Sequence, residues 1–216
     1  MPHRVVGASP KTEQAGILWP LGILAPAGTE GDPSSQCCET GAVTSRPLLR
    51  PIAAADVADV LALNERNVDM LAPLDAARLE QITGWSHRAD VIEVDGEFSG
   101  FVITIGPGTA YDSTNYRWFS ALYGTSFHYL DRIVLADRFR RRGLGSRVYD
   151  VVEADSLPAG RLTLEVNVEP PNPGSIAFHT ARGFTEVGRL GQPGKTVAML
   201  AKDLTSGVAR SDDSWS

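Results

Sequence analysis

The sequence predicts a mixed α/β fold with elements in the order β-α-α-β-β-β-α-β-α-β-β. Three observations carry this prediction. Residues 161–168 alternate apolar and polar side chains, which is typical of a strand with one buried face. Asp95-Gly96 separates two apolar runs and favours a hairpin turn. Residues 133–150 read as an apolar run, an arginine-rich turn with two glycines, and an amphipathic helix.

The first half of the chain contains predicted strands at 46–52, 91–94 and 98–105, and predicted helices at 57–68 and 75–82. Asp56 is a plausible N-cap of the first helix, because aspartate accepts hydrogen bonds from free N–H groups at a helix start. Asn64 interrupts the apolar face of that helix. Residues 107–126 are predicted to form a long loop, and a loop of this length in a compact domain is usually functional.

After the arginine-rich turn and the helix that it opens, the second half of the chain contains a predicted strand at 161–168 and then a further helix. That helix is predicted to end before Gly183, since glycine is common directly after a helix. Two closing strands are predicted over 184–190 and 196–204.

The length of 216 residues suits one domain, which we place at residues 46–204. Residues 1–45 are rich in Gly, Pro, Ser and Thr and are expected to be a disordered extension, sequence upstream of the true start, or a segment docked on the domain. A signal peptide is disfavoured, because its basic residues are few and Glu13 intervenes. Residues 205–216 are expected to form a polar tail.

Composition argues against several classes of partner. A net charge of −6 opposes general attraction to nucleic acid, and no apolar run is long enough to span a membrane. Cys37 and Cys38 are adjacent, which indicates neither a disulfide framework nor a metal site. We therefore expect a cytoplasmic protein that binds neither nucleic acid nor a membrane and holds no metal ion.

The glycine-rich turn has the chemistry of an anion site. The first N–H groups of a helix lack partners within the helix, and the helix dipole favours an anion there. Gly143 and Gly145 leave the backbone open to a ligand. Positive charge comes from Arg138, Arg140, Arg141 and Arg142. The turn is therefore interpreted as a phosphate cradle.

Two common phosphate motifs do not fit. A dinucleotide fingerprint needs a third glycine where this chain has Val148. A P-loop ending at residues 194–196 needs its first glycine where this chain has Arg189, and the sequence after it alternates like a strand rather than a helix.

A third motif does fit. Residues 140–145, Arg-x-x-Gly-x-Gly, resemble the acyl-CoA pyrophosphate loop of the Gcn5-related N-acetyltransferases, the GNAT superfamily. Asn172 before a helix that ends in Gly183-Phe184 is similar to a later motif of the same family. Residues 48–57, LLRPIAAADV, resemble its first strand and helix.

The resemblance covers about residues 46–204 and implies a strongly twisted mixed sheet of about seven strands with helices on both faces. In this family the fourth and fifth strands splay apart, and acyl-CoA enters the gap. Acetyl-CoA is implied as the acyl donor, its pantetheine pairing with the strand edge and its pyrophosphate lying on backbone N–H groups. The implied cofactor-binding residues are Ile133, Val134, Leu135, Arg140, Arg141, Arg142, Gly143, Leu144, Gly145, Ser146, Asn172, Ser175 and His179.

Amine acetylation needs a base, and two carboxylates are candidates. Glu165 lies on the polar face of the strand beside the gap, where similar members carry a catalytic carboxylate. Its structural alternative is an exposed glutamate paired with Arg161 or Arg132. Asp131 is the rival, expected on the opposite strand face from Arg132, and its alternative is an ion pair.

The leaving-group acid is where the chain departs from the family. The residue seven after the motif asparagine is usually tyrosine, and here it is His179, beside Phe178. Imidazole can donate a proton near neutral pH. The alternative is a histidine that only packs beside the cofactor.

The resemblance places the acceptor pocket at residues 64–75 and 111–123. Three acids could attract a cationic amine and three aromatic residues could line a slot: Glu65, Asp69, Asp75, Tyr111, Tyr116 and Trp118. Packing of the aromatics and a solvated acidic face are the alternatives for each of them.

The leading hypothesis is an acetyl-CoA-dependent N-acetyltransferase acting on a primary amine, of a small molecule or a protein, by direct attack in a ternary complex. A catalytically idle acyl-CoA-binding sensor is the alternative, and a nucleotide-binding protein is a third, weaker one. A homodimer is possible.

Overall fold

The computed structural model describes residues 47–68 and 71–204. The predicted N-terminal extension, residues 1–45, and the predicted tail, residues 205–216, lie outside the described residues. Within the described ranges no helix is long and apolar enough to cross a membrane.

Helices and strands alternate along most of the described chain. The helices are α1 (Val57–Glu65), α2 (Ala76–Trp85), α3 (Thr114–Tyr123), α4 (Leu144–Ser156) and α5 (Pro173–Ala181). The strands are β1 (Leu48–Pro51), β2 (Ser86–Val94), β3 (Glu97–Ile105), β4 (His128–Leu135), β5 (Arg161–Glu169), β6 (Thr185–Gln192) and β7 (Lys195–Asp203).

The strands form one sheet in the order β1-β2-β3-β4-β5-β7-β6. All neighbours are antiparallel except β4 and β5, which are parallel. One hydrophobic core lies between the sheet and α1, α2 and α3, and a second lies between the sheet and α4 and α5. The predicted mixed α/β sheet with helices on both faces is therefore confirmed.

The predicted loop at 107–126 is wrong in its middle, because it contains α3. The Ser113 hydroxyl accepts a hydrogen bond from the Tyr116 backbone N–H and so caps the helix start. Tyr116 and Phe119, one turn apart, bury their rings in the sheet-facing core. Aromatic residues that suggest a slot in a loop thus form the apolar face of a helix.

Two further predictions differ in detail. The second strand begins at Ser86 rather than at residue 91, because its polar first half pairs with β3 despite lacking an apolar pattern. Asp56 does not cap α1 with its side chain. Its carboxylate instead accepts hydrogen bonds from the Ala53 backbone N–H and from the Arg50 guanidinium.

The sheet opens between β4 and β5. These strands pair only at His128 with Leu162 and at Tyr129 with Thr163. Beyond that point β4 continues to pair with β3 on its other side, up to Leu135. The C-terminal part of β4 therefore presents a free edge toward the gap.

Candidate active site

The free edge of β4 contains Ile133, Val134 and Leu135, all buried and all paired with β3 only. Half of the backbone groups of such an edge point away from the paired neighbour. An extended ligand can pair with them as an added strand. These three residues are thus suited to hold an extended chain that carries amide groups.

The glycine-rich turn lies at the same end of the sheet, directly before α4. Gly143 is the N-cap of α4 with φ of 77°. Within the described part of the chain, no side chain caps this helix, and a Cβ at Gly143 would meet no atom within 4 Å. Arg141 and Arg142 are exposed beside it, whereas Leu144 and Gly145 are buried. The start of α4 therefore has open space beside Gly143 and positive charge nearby, as an anion site requires.

Arg140 is turned away from this open side. Its Nε donates to the Leu135 carbonyl oxygen at 2.9 Å, and its Nη2 donates to the Asn67 side-chain oxygen at 2.9 Å. Its Nη1 pairs with Asp137 at 2.8 Å. The side chain therefore braces the turn against the end of α1.

Asn172 caps α5, three residues after the end of β5. Its side-chain oxygen accepts a hydrogen bond from the Ser175 backbone N–H at 3.2 Å. Its side-chain nitrogen is buried and has no hydrogen-bond partner among the residues that the structure describes. A buried donor without a partner is costly, so this nitrogen suits an acceptor group on a bound ligand.

Glu165 is fully buried on β5, two residues beyond the last pair with β4. The Tyr129 hydroxyl lies 2.9 Å and 2.7 Å from its two carboxyl oxygens, and the Asn115 side chain also hydrogen-bonds to it. Burial raises the pKa of this carboxyl to about 8; the two hydrogen bonds lower it, and Asp131 raises it further. The alternative prediction, an exposed Glu165 paired with Arg161 or Arg132, is therefore wrong.

Asp131 lies in a β-bulge. Ile103 pairs with Arg132 and Thr104 pairs with Leu130, so Asp131 is the extra residue of β4. The expected placement of Asp131 and Arg132 on opposite faces is wrong for this reason. The Arg132 Nε lies 3.0 Å from one carboxyl oxygen of Asp131.

The remaining partners of this pair are also buried. The Tyr111 hydroxyl donates to the other carboxyl oxygen of Asp131 at 2.5 Å. The Nη1 of Arg132 donates to the Asn64 side-chain oxygen at 2.8 Å and to the Ala72 carbonyl oxygen at 3.1 Å. The polar Asn64 in an apolar helix face therefore serves the buried arginine.

His179 is buried between α4 and α5. Its Nδ1 lies 2.7 Å from the Ser175 carbonyl oxygen, which can only accept, so this nitrogen carries the proton. Its Nε2 lies 2.6 Å from the Tyr149 hydroxyl. Burial lowers the pKa of the imidazole to about 4, so the neutral ring accepts the Tyr149 proton at Nε2. The ring has no further N–H group to offer a leaving thiolate.

The structure also places the residues expected at the acceptor pocket. Tyr111 and Tyr116 are buried and Trp118 is half-buried. Glu65 is exposed, and Asp75 caps α2 by accepting a hydrogen bond from the Arg78 backbone N–H. Asp69 lies outside the described residues.

Tyr129 and Asn115, which both contact Glu165, do not stand out in the sequence. Tyr129 sits in an apolar strand and Asn115 in the segment expected to be a loop. No pattern marks Tyr129 in particular, because β4 is buried along its whole length and does not alternate. Within the described ranges, no group of three or more His, Cys, Asp or Glu is arranged to hold a metal ion.

Comparison with known structures agrees with this fold. Ard1 from Thermoplasma volcanium is 16% identical, with 74% of this chain and 99% of that chain covered and a TM-score of 0.57. The ribosomal-protein-S18-alanine N-acetyltransferase from Escherichia coli is 15% identical, with 76% and 97% covered and a TM-score of 0.56. A putative acetyltransferase from Salmonella typhimurium, solved with acetyl-CoA, is 17% identical, with 74% and 95% covered and a TM-score of 0.55.

Because these identities are low, the three structures show only that the fold is shared. The sequence profile of the acetyltransferase (GNAT) family matches residues 59–184, which is more than half of the chain and includes the glycine-rich turn, Glu165 and Asn172. The chain therefore belongs to the GNAT family of acetyltransferases.

Proposed function

We propose that this protein transfers the acetyl group of acetyl-CoA to a primary amine, by direct attack of the amine within a ternary complex. The observation that carries the proposal is the buried carboxyl of Glu165, at the point where β4 and β5 separate, with its pKa raised to about 8. A base is most effective when its pKa lies near the working pH.

The binding of acetyl-CoA is supported by three features of the chain. The free edge of β4 suits the pantetheine, the open start of α4 suits the pyrophosphate, and the side-chain nitrogen of Asn172 suits a carbonyl of the CoA arm. Arg141 and Arg142 add charge beside the phosphates, whereas Arg140 supports the turn from behind.

The reaction then needs one proton acceptor. The amine nitrogen forms a bond to the thioester carbonyl carbon, and Glu165, as carboxylate, accepts the N–H proton directly or through water. The C–S bond breaks, and the CoA thiolate leaves and takes up a proton from solvent. Glu165 releases the proton of the amine to solvent, so the carboxylate is restored and no net proton is consumed. Asp131 is the weaker candidate for the base, because its carboxylate is neutralised by a buried ion pair with Arg132, whereas the side chains that hydrogen-bond to Glu165 are uncharged.

The proton-donor role of His179 stays a prediction, and the geometry weighs against it. Both ring nitrogens are engaged within the protein, and the pKa lowered to about 4 leaves the ring neutral. We propose instead that His179 fixes the contact between α4 and α5. The acceptor amine, a cytoplasmic location and a homodimer also stay predictions.

The test is a screen of primary amines with acetyl-CoA, over amino acids, polyamines, aminoglycosides and peptide N-termini, with release of free CoA thiol as the readout. Glu165→Gln should lower turnover by a factor on the order of 10² or more at neutral pH. Glu186→Gln, an exposed glutamate on β6, is the matched control and should leave turnover unchanged. Equal turnover in Glu165→Gln and the native protein would reject Glu165 as the base.

The second candidate is an acyl-CoA-binding sensor without catalysis. One observation favours it: His179, at the position of the usual tyrosine, has no free N–H group. Tight binding of acetyl-CoA in calorimetry without thiol release for any amine would support the sensor. Thermal stabilisation by ATP but not by CoA would contradict both candidates and favour a nucleotide-binding protein.

A further inference from the structure

The helix α3 crosses the face of the sheet on which Glu165 lies. Its buried side contains Asn115, Tyr116 and Phe119, and the Phe119 ring lies 6.1 Å from the Tyr129 ring. A Cβ at Gly188 of β6 would lie only 2.7 Å from the Trp118 ring, so this indole rests directly on the backbone of β6. The helix therefore spans the sheet from β4 to β6 above the candidate base.

Side-chain contacts hold the start of α3 firmly. The Tyr116 hydroxyl donates to the Gly106 carbonyl oxygen at 2.9 Å and accepts from the Thr109 backbone N–H at 3.1 Å. These bonds tie the first turn of the helix to the end of β3. The residue next to Tyr116, Asn115, is consequently fixed in position as well.

The end of α3 is also held. The Arg161 guanidinium lies 3.9 Å from the centre of the Tyr123 ring, and its Nη1 donates to the Ser126 carbonyl oxygen at 3.3 Å. Because side-chain contacts anchor both of its ends, α3 is held in one position over the sheet.

Asn115 lies on the buried side of α3 with 2% of its surface exposed. Its side chain hydrogen-bonds to the Glu165 carboxyl. The carboxyl thus has two side-chain partners on different elements, Tyr129 on β4 and Asn115 on α3. A donor from each side fixes the plane of the carboxyl group as well as its position. Donors to a carboxylate also favour its charged form over its protonated form.

We propose that Asn115 is a positioning residue, which orients the Glu165 carboxyl and stabilises the carboxylate that accepts the proton of the amine. The proposal rests on the proposed function, since it assigns Asn115 a part in the action of Glu165. It also gives α3, which lies between β3 and β4 in the chain, a role in the reaction rather than in packing alone.

The direct test is titration of Glu165 in the native protein and in Asn115→Leu, which has nearly the same size but no polar atoms. Carbon-13 NMR of labelled glutamate carboxyls follows the titration, with Glu165→Gln to assign the signal. Asn115→Leu should raise the Glu165 pKa by about one unit, because a hydrogen bond to a charged group is lost. Arg117→Gln, an exposed change on the same helix, should leave the pKa unchanged.

Kinetics supply the second readout once an acceptor is known. In Asn115→Leu the rise of kcat/KM with pH should move upward by the same amount, so that activity at neutral pH falls about tenfold and recovers in alkali. Asn115→Ala, a smaller change, should move the profile in the same direction if Asn115→Leu folds poorly. A merely structural role predicts an equal loss at every pH.

The outcomes separate this inference from the proposed function. An unchanged Glu165 pKa in folded Asn115→Leu and Asn115→Ala overturns the inference, whatever the protein catalyses. Full turnover in Glu165→Gln overturns the assigned base, while the titration result for Asn115 still stands on its own.

Discussion

The Tyr129 hydroxyl on β4 contacts both carboxyl oxygens of Glu165 on β5, at 2.9 Å and 2.7 Å. Tyr129 belongs to the last residue pair that joins these strands before the sheet opens. The contact therefore places a titratable group at the inner end of the gap between the two strands. The pH behaviour of the protein should reflect this group.

Catalysis should rise with pH through about 8. Glu165 must be deprotonated to accept a proton, and burial raises its pKa to about 8, so most of the protein carries the inactive protonated form at neutral pH. A pH series of kcat/KM should show a rise with a midpoint near 8. In Glu165→Gln that rise should disappear, and a profile with the same midpoint in the variant would assign the titration to another group.

Stability should show the opposite trend. Glu165 has a pKa of about 8 when folded and 4.5 ordinarily, so the folded protein binds a proton more tightly than the unfolded chain. This favours the folded state at low pH, and the contribution is lost as pH rises from about 4.5 to about 8. Thermal melting of the native protein should therefore fall relative to Glu165→Gln over this window. A constant difference between the two proteins would contradict the raised pKa.

Removing the neighbouring charge should lower the pKa of Glu165. Asp131→Asn takes away a negative charge that raises this pKa, so the titration midpoint should move below 8. The same change leaves the buried Arg132 without its ion-pair partner and should cost about 3–5 kcal/mol of the free energy of unfolding. Carbon-13 NMR and denaturant unfolding measure the two effects separately.

The matched control for this variant is Asp203→Asn. Asp203 pairs with Arg161 at 2.6 Å, but its side chain is 69% exposed. Loss of this surface pair should cost at most about 1 kcal/mol and should not move the Glu165 titration. Similar costs for both variants would mean that burial of the Asp131 pair matters little.

The features that the sequence predicted best depend on local patterns. The strand, turn and helix over 133–150 and the helix end at Gly183 follow from periodicity and glycine, and the structure confirms them. The bulge at Asp131 and the helix α3 depend instead on contacts between distant residues. An extra residue in one strand leaves no trace in its own pattern, so the sequence placed Asp131 and Arg132 on opposite faces.

The same distinction applies to the candidate site. Glu165, Asp131 and the glycine-rich turn can be selected by residue type and spacing. Whether a strand glutamate is exposed or buried depends on which element packs over it. Glu165 is buried under α3, and the sequence predicted a loop where this helix lies. The raised pKa of Glu165 and its hydrogen bond from Asn115 therefore cannot be predicted from the sequence.

Binding of CoA should depend more on Gly143 than on Arg141. A side chain at Gly143 would project into the open space in front of α4, where a phosphate would approach the backbone. Gly143→Val should abolish CoA binding in calorimetry, whereas Arg141→Ala removes one exposed charge and should weaken binding only about fivefold. The reverse ranking would reject a cradle made by the backbone.

Backbone strain needs its own control in that experiment. Gly160 has φ of 74°, close to the 77° of Gly143, and a Cβ there would also meet nothing within 4 Å. It lies beyond the far end of α4, about 20 Å from the start of the helix. Gly160→Val should lose stability as Gly143→Val does but retain CoA binding, and loss of binding in both would point to strain alone.

The contact between Tyr149 and His179 should be structural. His179→Phe removes the 2.6 Å hydrogen bond between the buried Tyr149 hydroxyl and the imidazole, which should cost about 1–3 kcal/mol of the free energy of unfolding. The double variant Tyr149→Phe/His179→Phe removes both polar groups and should recover part of that loss. Turnover per folded molecule should then be close to native in both variants. A fall in kcat of tenfold or more in His179→Phe, with native stability and native CoA affinity, would instead establish His179 as the proton donor.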